Sequence, residues 1–255
     1  MKTISIINNK GGVGKTTTTL SIGYEFTQNY NKKVLLVDLD AQGNLSKMLQ
    51  KEEIEPEVTI SNVLMGGTAL KNAIRQTKYQ NLDIIPANCE LDDVYDAIGS
   101  KGNQEILRNA LITVADKYDY CIIDTAPSVT IGTKNALVAS DEVLVPMCMD
   151  VFCFWGLQRI TDEIQKARTK NESLYFLGVL FTRFTKTELN QNLEKNMQQQ
   201  EQYPVSKTHI RESPKVNPGT FEGETVGKFS IRSSAATDYH KFAEDYLNGK
   251  LYLQQ

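Results

Sequence analysis

The segment Asn8 to Thr17, NNKGGVGKTT, constrains this chain of 255 residues more than any other stretch. It follows the apolar run Ile4 to Asn8 and precedes a stretch of helical period from Thr16 onward. That strand, loop and helix context is what gives a glycine-rich loop its meaning as a phosphate cradle. Gly11, Gly12 and Gly14 lack a Cβ, so successive backbone N–H groups can turn inward and approach phosphate oxygens. The helix start adds unpaired N–H groups and the positive end of its dipole. In this reading Lys10, Gly11, Gly12, Val13, Gly14, Lys15, Thr16 and Thr17 form the nucleotide-contact segment. Lys15 supplies a point charge to the β and γ phosphates, Thr16 a hydroxyl to Mg²⁺, and Thr17 support at the α phosphate. The expected ligand is therefore ATP with Mg²⁺. Two departures stand out: Asn9 occupies the slot of the usual first glycine, and Lys10 adds a second lysine.

Further along, the apolar runs TISIIN, KVLLVDLD, LDIIPA, YCIIDT, EVLVPM and LYFLGVLF alternate with stretches of helical period. They are near-continuous rather than strictly alternating, as suits strands covered on both faces. The predicted class is α/β: a doubly wound, mostly parallel β-sheet with helices on both faces. Helices are predicted over Lys15 to Asn29, Gln104 to Lys117, Thr133 to Ala139, Trp155 to Arg168, Glu188 to Glu201 and Ser234 to Leu247. The fifth is so polar that it reads as a solvated helix without a special role. Prolines and glycines make Tyr203 to Gly227 loop-like, apart from a short strand at Val205 to Ile210. No repeat or dividing linker is legible, so one ATPase domain over 1–255 is expected.

The net charge of −3 argues against a grossly basic nucleic-acid coat and leaves room for a local basic patch. Cys89, Cys121, Cys148 and Cys153 form no C-x-x-C pair, and with two histidines they read as buried free thiols rather than a zinc site. No cleavable leader is legible before the first strand. Nor does any apolar run reach the roughly 18 residues of a membrane span. The expected location is cytoplasmic.

Two acidic motifs complete the picture. In VLLVDLDAQGN, strand periodicity puts Asp38 and Asp40 on one side of the sheet at its carboxyl end, where ligands of open α/β folds collect. In YDYCIIDTAPS an apolar run ends in Asp124, the pattern of a carboxylate holding Mg²⁺ directly or through water. Once Mg²⁺ offsets Asp124 and part of Asp38, Asp40 is free to orient an attacking water.

KGGVGKTT resembles the deviant Walker A form of the ParA/MinD ATPases, and the two acidic motifs resemble its ParA (Soj-like) DNA-partitioning branch. KNALVASDEVLVPM and SIRSSAATDYHKFAEDYL continue the likeness over nearly the whole chain. The resemblance implies a role for the extra lysine. Lys10 would reach across an ATP-dependent homodimer to the partner's nucleotide and act in catalysis with Lys15 and Asp40, while Asp124, Asp38 and Thr16 serve the metal. It also implies non-specific binding of double-stranded DNA by the ATP dimer, nucleoid association in that state, and stimulation by a ParB-type centromere-binding protein. Candidate DNA-backbone contacts are Lys207, Arg211, Lys215, Lys228 and Arg232. Glu212, Glu222 and Glu224 interrupt them, so from the residues alone an ordinary solvated surface is favoured, and the resemblance reverses that preference. RFTKTELN and PKVNPGTFEG depart from the usual chromosomal pattern and point to a plasmid or mobile-element version.

The nearest rival is a membrane-associated MinD-like ATPase. It would use the apolar face of the terminal helix, Tyr239, Phe242, Ala243, Tyr246 and Leu247, yet Asp238, Glu244 and Asp245 on that helix would be repelled by an anionic bilayer. No membrane partner is expected. An iron–sulfur carrier sharing the loop would need a cysteine at a dimer axis, and a tyrosine kinase of this fold a terminal tyrosine cluster where KLYLQQ offers only Tyr252.

Overall fold

The computed structural model describes residues 1–49, 57–199 and 203–252, with the backbone alone at 151–155. The strands are β1 (Lys2–Ile6), β2 (Val34–Leu39), β3 (Arg75–Gln76), β4 (Leu82–Ile85), β5 (Tyr120–Thr125), β6 (Glu142–Met147) and β7 (Tyr175–Phe181). They form one sheet in the order β3-β4-β2-β5-β1-β6-β7, in which β3 alone pairs antiparallel among the described residues. The helices are α1 (Lys15–Gln28), α2 (Asn44–Leu49), α3 (Ile60–Leu64), α4 (Leu70–Ala73), α5 (Leu91–Gly99), α6 (Ile106–Ile112), α7 (Ile131–Ala139), α8 (Val151–Arg168), α9 (Glu188–Gln199), α10 (Val216–Phe221), α11 (Val226–Phe229) and α12 (Ser234–Leu247). Parallel neighbours need crossovers long enough to hold a helix, which is why the two element types alternate.

The pleat of β2 sorts its side chains between two cores. Val34 and Leu36 meet Leu20, Ile22 and Phe26 of α1 and Phe242 of α12. Leu35, Val37 and Leu39 meet Val94 and Ile98 of α5 and Leu107 and Leu111 of α6. A third core joins β6 and β7 to Leu157, Ile160 and Ile164 of α8. Phe26 is wholly buried between the rings of Tyr120 and Tyr246, at centroid distances of 4.8 and 5.5 Å. Burying such a side chain stabilises the fold by roughly 1.5–3 kcal/mol. The terminal helix spends its apolar face the same way: Tyr239, Phe242 and Ala243 are buried in the core with α1. No described helix is long and apolar enough to cross a membrane.

Several local expectations are corrected. The segment after Pro204 lies beside β7 but makes isolated bridges, Val179 with Val205 and Phe184 with Arg211, instead of a strand. Ser206 N and Ile210 N donate to the β7 carbonyls of Val179 and Phe181, but the donors between and after them go elsewhere: Lys207 N to the Leu251 carbonyl at 2.8 Å, and Arg211 N to the Asp238 carboxylate at 2.8 Å. Gly178, at φ 113°, permits the approach, since a Cβ there would sit 2.3 Å from the Pro204 carbonyl oxygen. The predicted loop further on contains α10 and α11. Pro218 falls in the first turn of α10, where no intrahelical acceptor awaits its missing N–H, so proline does not break the helix there. The helix predicted over Gln104 to Lys117 is confined to α6 and ends in turns. The last two residues of Glu188 to Glu201 lie outside the described residues, as does the Cys153 side chain. Of the other thiols Cys121 is buried, Cys148 half-buried and Cys89 exposed, so burial fails as a general account of the cysteines.

Candidate nucleotide site

The loop lies at the carboxyl end of β1, flanked by the ends of β5 and β6, where open α/β sheets gather ligands. Asn8 fixes its start. The Asn8 Nδ2 donates to the Pro146 carbonyl at 2.7 Å, and its Oδ1 accepts from Lys10 N at 3.0 Å. Val13 is buried in the β6–β7 core, and its carbonyl accepts from the Thr182 hydroxyl at 2.8 Å. Gly14 then starts α1 at φ 84°, a left-handed conformation that disfavours any side chain, and no side chain caps the helix. The first N–H groups of α1 are thus left to a ligand.

The two lysines of the loop behave differently. Lys15 is 7% exposed, and its Nζ donates to the Lys10 carbonyl at 3.1 Å, inside the loop. Burial lowers its pKa, opposed by the charge of Asp124 and then of Asp40. The Lys10 ammonium instead forms an ion pair with Asp150, just past β6, and each of those side chains is 38% exposed. Lys15 lines the cleft, while Lys10 is held part-exposed on Asp150.

Facing the loop, Asp38 and Asp124 are register partners across β2 and β5, both without solvent exposure. Asp38 is tied down, its Oδ2 accepting from Ser46 N at 2.9 Å and Ser46 Oγ at 2.7 Å, and its Oδ1 from Asp40 N at 3.1 Å. Burial pushes its pKa up to about 6 against those hydrogen bonds. Asp124 has less support. The Thr19 hydroxyl donates to its Oδ1 at a long 3.5 Å, and Oδ2 is buried without a well-formed hydrogen bond. Burial first, and the Asp38 charge second, push its pKa up to about 8, while Thr16 and Lys15 pull the other way. A buried carboxylate oxygen without a well-formed hydrogen bond, beside a threonine hydroxyl, fits a hard cation. Among the described residues no group of three or more His, Cys, Asp or Glu could hold a metal by itself. That is compatible with Mg²⁺, which keeps waters and substrate phosphates in its shell and needs only one or two carboxylates. Asp40, half-buried, lines the cleft and has its Oδ1 hydrogen-bonded to Gln42 N at 3.0 Å.

The cleft holds about 800 Å³, the size of a small-molecule site. The glycines, Lys15, Thr16, Thr17 and Asp40 line one end. Thr182, beside the loop, and Arg183, Arg211, Glu212, Val216 and Asn217 are among the other lining residues, and as a cleft wall they carried no signal in the sequence. Their placement depends on how the 204–211 segment lies against β7 and on α10. Of the basic residues considered for DNA, Arg211 lies in this wall, held by Asp238, and Lys207 pairs with Asp245 at 3.0 Å. Lys215, Lys228 and Arg232 are exposed around α10 and α11.

A family model described as an AAA domain matches residues 1–176, which include β1 to β6 and the whole phosphate end of the site. The chromosome-partitioning ATPase Soj of Treponema pallidum is 31% identical over 247 residues, covering 96% of each chain. The sporulation initiation inhibitor protein Soj of Bacillus subtilis is 32% identical, covering 96% of this chain and 97% of its own. The chain belongs to the ParA/Soj family of deviant Walker A ATPases. Solved structures agree with a ParA/Soj fold. Cobyrinic acid a,c-diamide synthase from Mycobacterium smegmatis, with bound ATP analogue and magnesium, superposes with a TM-score of 0.85 at 27% identity over all of both chains. The cell division ATPase MinD of Pyrococcus furiosus gives 0.79 at 25% identity over 97% of this chain and 98% of that one.

Proposed function

We propose that this chain acts as one ATPase domain, binding ATP with Mg²⁺ and hydrolysing it to ADP and phosphate to partition a replicon. In this reading two copies close face to face on two nucleotides, and the ATP dimer binds duplex DNA without sequence preference. A ParB-type centromere-binding protein stimulates turnover. The protein is then cytoplasmic and nucleoid-associated while it holds ATP.

The observation that carries the proposal is the divergence of the two lysines: Lys15 buried in its own cleft, Lys10 held part-exposed on Asp150. A half-exposed ion pair such as Lys10–Asp150 contributes roughly 0–1 kcal/mol, so exchanging the carboxylate for a partner's phosphate costs little. Dimerisation then depends on the triphosphate, because a closed interface without it would hold uncompensated charge. Within each cleft the loop N–H groups, the start of α1 and Lys15 bind the phosphates. Asp124 and Thr16 hold the metal, with Asp38 beside them. Mg²⁺, when bound, neutralises charge on the phosphate oxygens as it develops. Asp40, held by Gln42 N, orients the attacking water. Lys10 of the partner copy stabilises the transferring phosphoryl group much as an arginine finger does.

Lys215, Lys228 and Arg232 are exposed and available to a DNA backbone, whereas Lys207 and Arg211 are engaged by carboxylates. The apolar face of α12 is buried against the core, which favours the DNA reading over a membrane-associated one. A mobility-shift assay on non-specific duplex tests this: retention with ATP, little with ADP or no nucleotide, and loss as salt rises. Equal retention in all three nucleotide states, or flotation with anionic liposomes in place of DNA retention, contradicts it.

A further inference from the structure

The loop fixes which way a nucleotide runs through the cleft. In that reading Lys15 takes the β and γ phosphates, Thr16 the metal beside them and Thr17 the α phosphate, so the sugar and base extend beyond Thr17. The next residue, Thr18, is joined by its hydroxyl to the Tyr239 hydroxyl at 3.0 Å, which ties the first turn of α1 to α12. Asp238, adjacent to Tyr239, grips Arg211 with one carboxylate. Its Oδ2 accepts from Arg211 Nε at 2.9 Å and from Arg211 N at 2.8 Å, and its Oδ1 from Nη2 at 2.7 Å and Nε at 3.2 Å. The Asp238 side chain is 12% exposed and that of Arg211 48%, and Arg211 lines the nucleotide cleft.

We propose that Arg211 is the stacking wall for the nucleotide base, held in plane by Asp238, and that the pair favours purines over pyrimidines. The inference rests on reading the cleft as an ATP site. A carboxylate already occupies one edge of the guanidinium and cancels its charge, so the group offers little to a phosphate. What such a neutralised guanidinium can still offer a ligand in the cleft is a flat, weakly hydrated face, the surface an aromatic ring stacks upon. Gripping both the side chain and the backbone of Arg211 removes rotamer freedom that binding would otherwise have to quench. A two-ring base covers more of such a plane than a one-ring base. Asp238 is a positioning residue here, and Arg211 a specificity-determining one.

The test separates the nucleoside from the phosphates. Calorimetry with Mg²⁺ measures ATP, CTP and inorganic tripolyphosphate on the unmodified chain, on Arg211→Lys and on Asp238→Asn. Arg211→Lys keeps the charge and loses the plane. It is expected to weaken ATP about five- to tenfold, to lower the ATP-to-CTP preference toward unity, and to leave tripolyphosphate within about twofold. Asp238→Asn, which loosens the grip, shifts the same ratio in the same direction to a smaller degree. Equal weakening of ATP and tripolyphosphate would make Arg211 a phosphate contact and overturn the proposal. Unchanged nucleotide affinities with loss of DNA retention would also overturn it and make Arg211 a DNA contact. If the unmodified chain binds neither ATP nor tripolyphosphate, the reading of the cleft itself falls, and this inference with it.

Discussion

The two ends of the cleft handle charge in opposite ways. At the base end each arginine is matched by its own carboxylate, Arg211 by Asp238 and Arg183 by Glu212 at 3.4 Å. At the phosphate end matching is incomplete by construction. Lys15 is buried with its ammonium on a backbone carbonyl, and Asp124 keeps an oxygen without a well-formed hydrogen bond. Beside them Asn9, in the slot of the missing glycine, has both amide atoms buried without partners. Buried polar atoms are nearly always paired, so a cluster of unpaired ones marks where a ligand completes the structure. The base end is a finished wall that offers shape, while the phosphate end is an unfinished polar site that offers binding energy.

That contrast is easiest to break at Lys15. Removing the buried ammonium in Lys15→Ala is expected to cost about a hundredfold or more in ATP affinity, measured by calorimetry with Mg²⁺. A loss below about threefold would mean that the loop N–H groups carry the phosphates alone. Next in size is Asp40→Ala. Steady-state phosphate release should fall by about two orders of magnitude with ATP affinity within about threefold, as for a group that acts on the attacking water. Normal turnover would remove Asp40 from the mechanism.

Asp124 sharpens the comparison through pH. Its folded-state pKa of about 8, and that of Asp38 near 6, lie above the ordinary carboxylate value. Between the unfolded and folded values the folded chain binds more protons than the unfolded one, so both groups make stability fall as pH rises from about 4 toward about 8. The nucleotide-free protein should therefore melt at a higher temperature at pH 5 than at pH 8. Asp124→Asn should flatten that slope, raise the pH 8 melting temperature by roughly 3 °C or more, and abolish the extra stabilisation from Mg²⁺ with ATP. A variant less stable than the parent at pH 8 contradicts the unpaired-carboxylate account.

The smallest expected effect lies at the base end. Arg183 adopts φ 49°, a left-handed conformation that costs a residue with a Cβ about 1 kcal/mol, while its exposed pair with Glu212 contributes about as little. Arg183→Gly should then leave thermal stability within about 1 kcal/mol of the parent and phosphate release within about threefold. A large loss in either would show that this end is less finished than it looks.

The same division explains what the sequence could disclose. Gly12, Gly14, Lys15 and Thr16 fall within five consecutive residues, and their spacing carries the chemistry because one strand, one turn and one helix build that half of the site. Asp38 and Asp124 were legible as polar ends of apolar runs, and the ladder of β2 on β5 makes them neighbours. The base end is assembled from Arg183, Arg211 and α10, which come to one cleft wall only after β7 and the 204–211 segment have packed together. Nothing local in RESPKVNPG announces a helix, because Pro218 is tolerated only in a first turn. Likewise β3 is two residues long, too short for periodicity to register.

Lys10 joins the structure to the proposed function most directly, since its part-exposed side chain pairs with Asp150 here and in the proposal serves the phosphates of a second copy. Light scattering of the unmodified protein with Mg²⁺ and a non-hydrolysable ATP analogue, beside Lys10→Ala, reads that dependence as molar mass. The account expects twice the chain mass for the first and the single-chain mass for the second, with the analogue still bound in both. A single-chain mass for the unmodified protein at saturating analogue, or an undiminished dimer in Lys10→Ala, would contradict it.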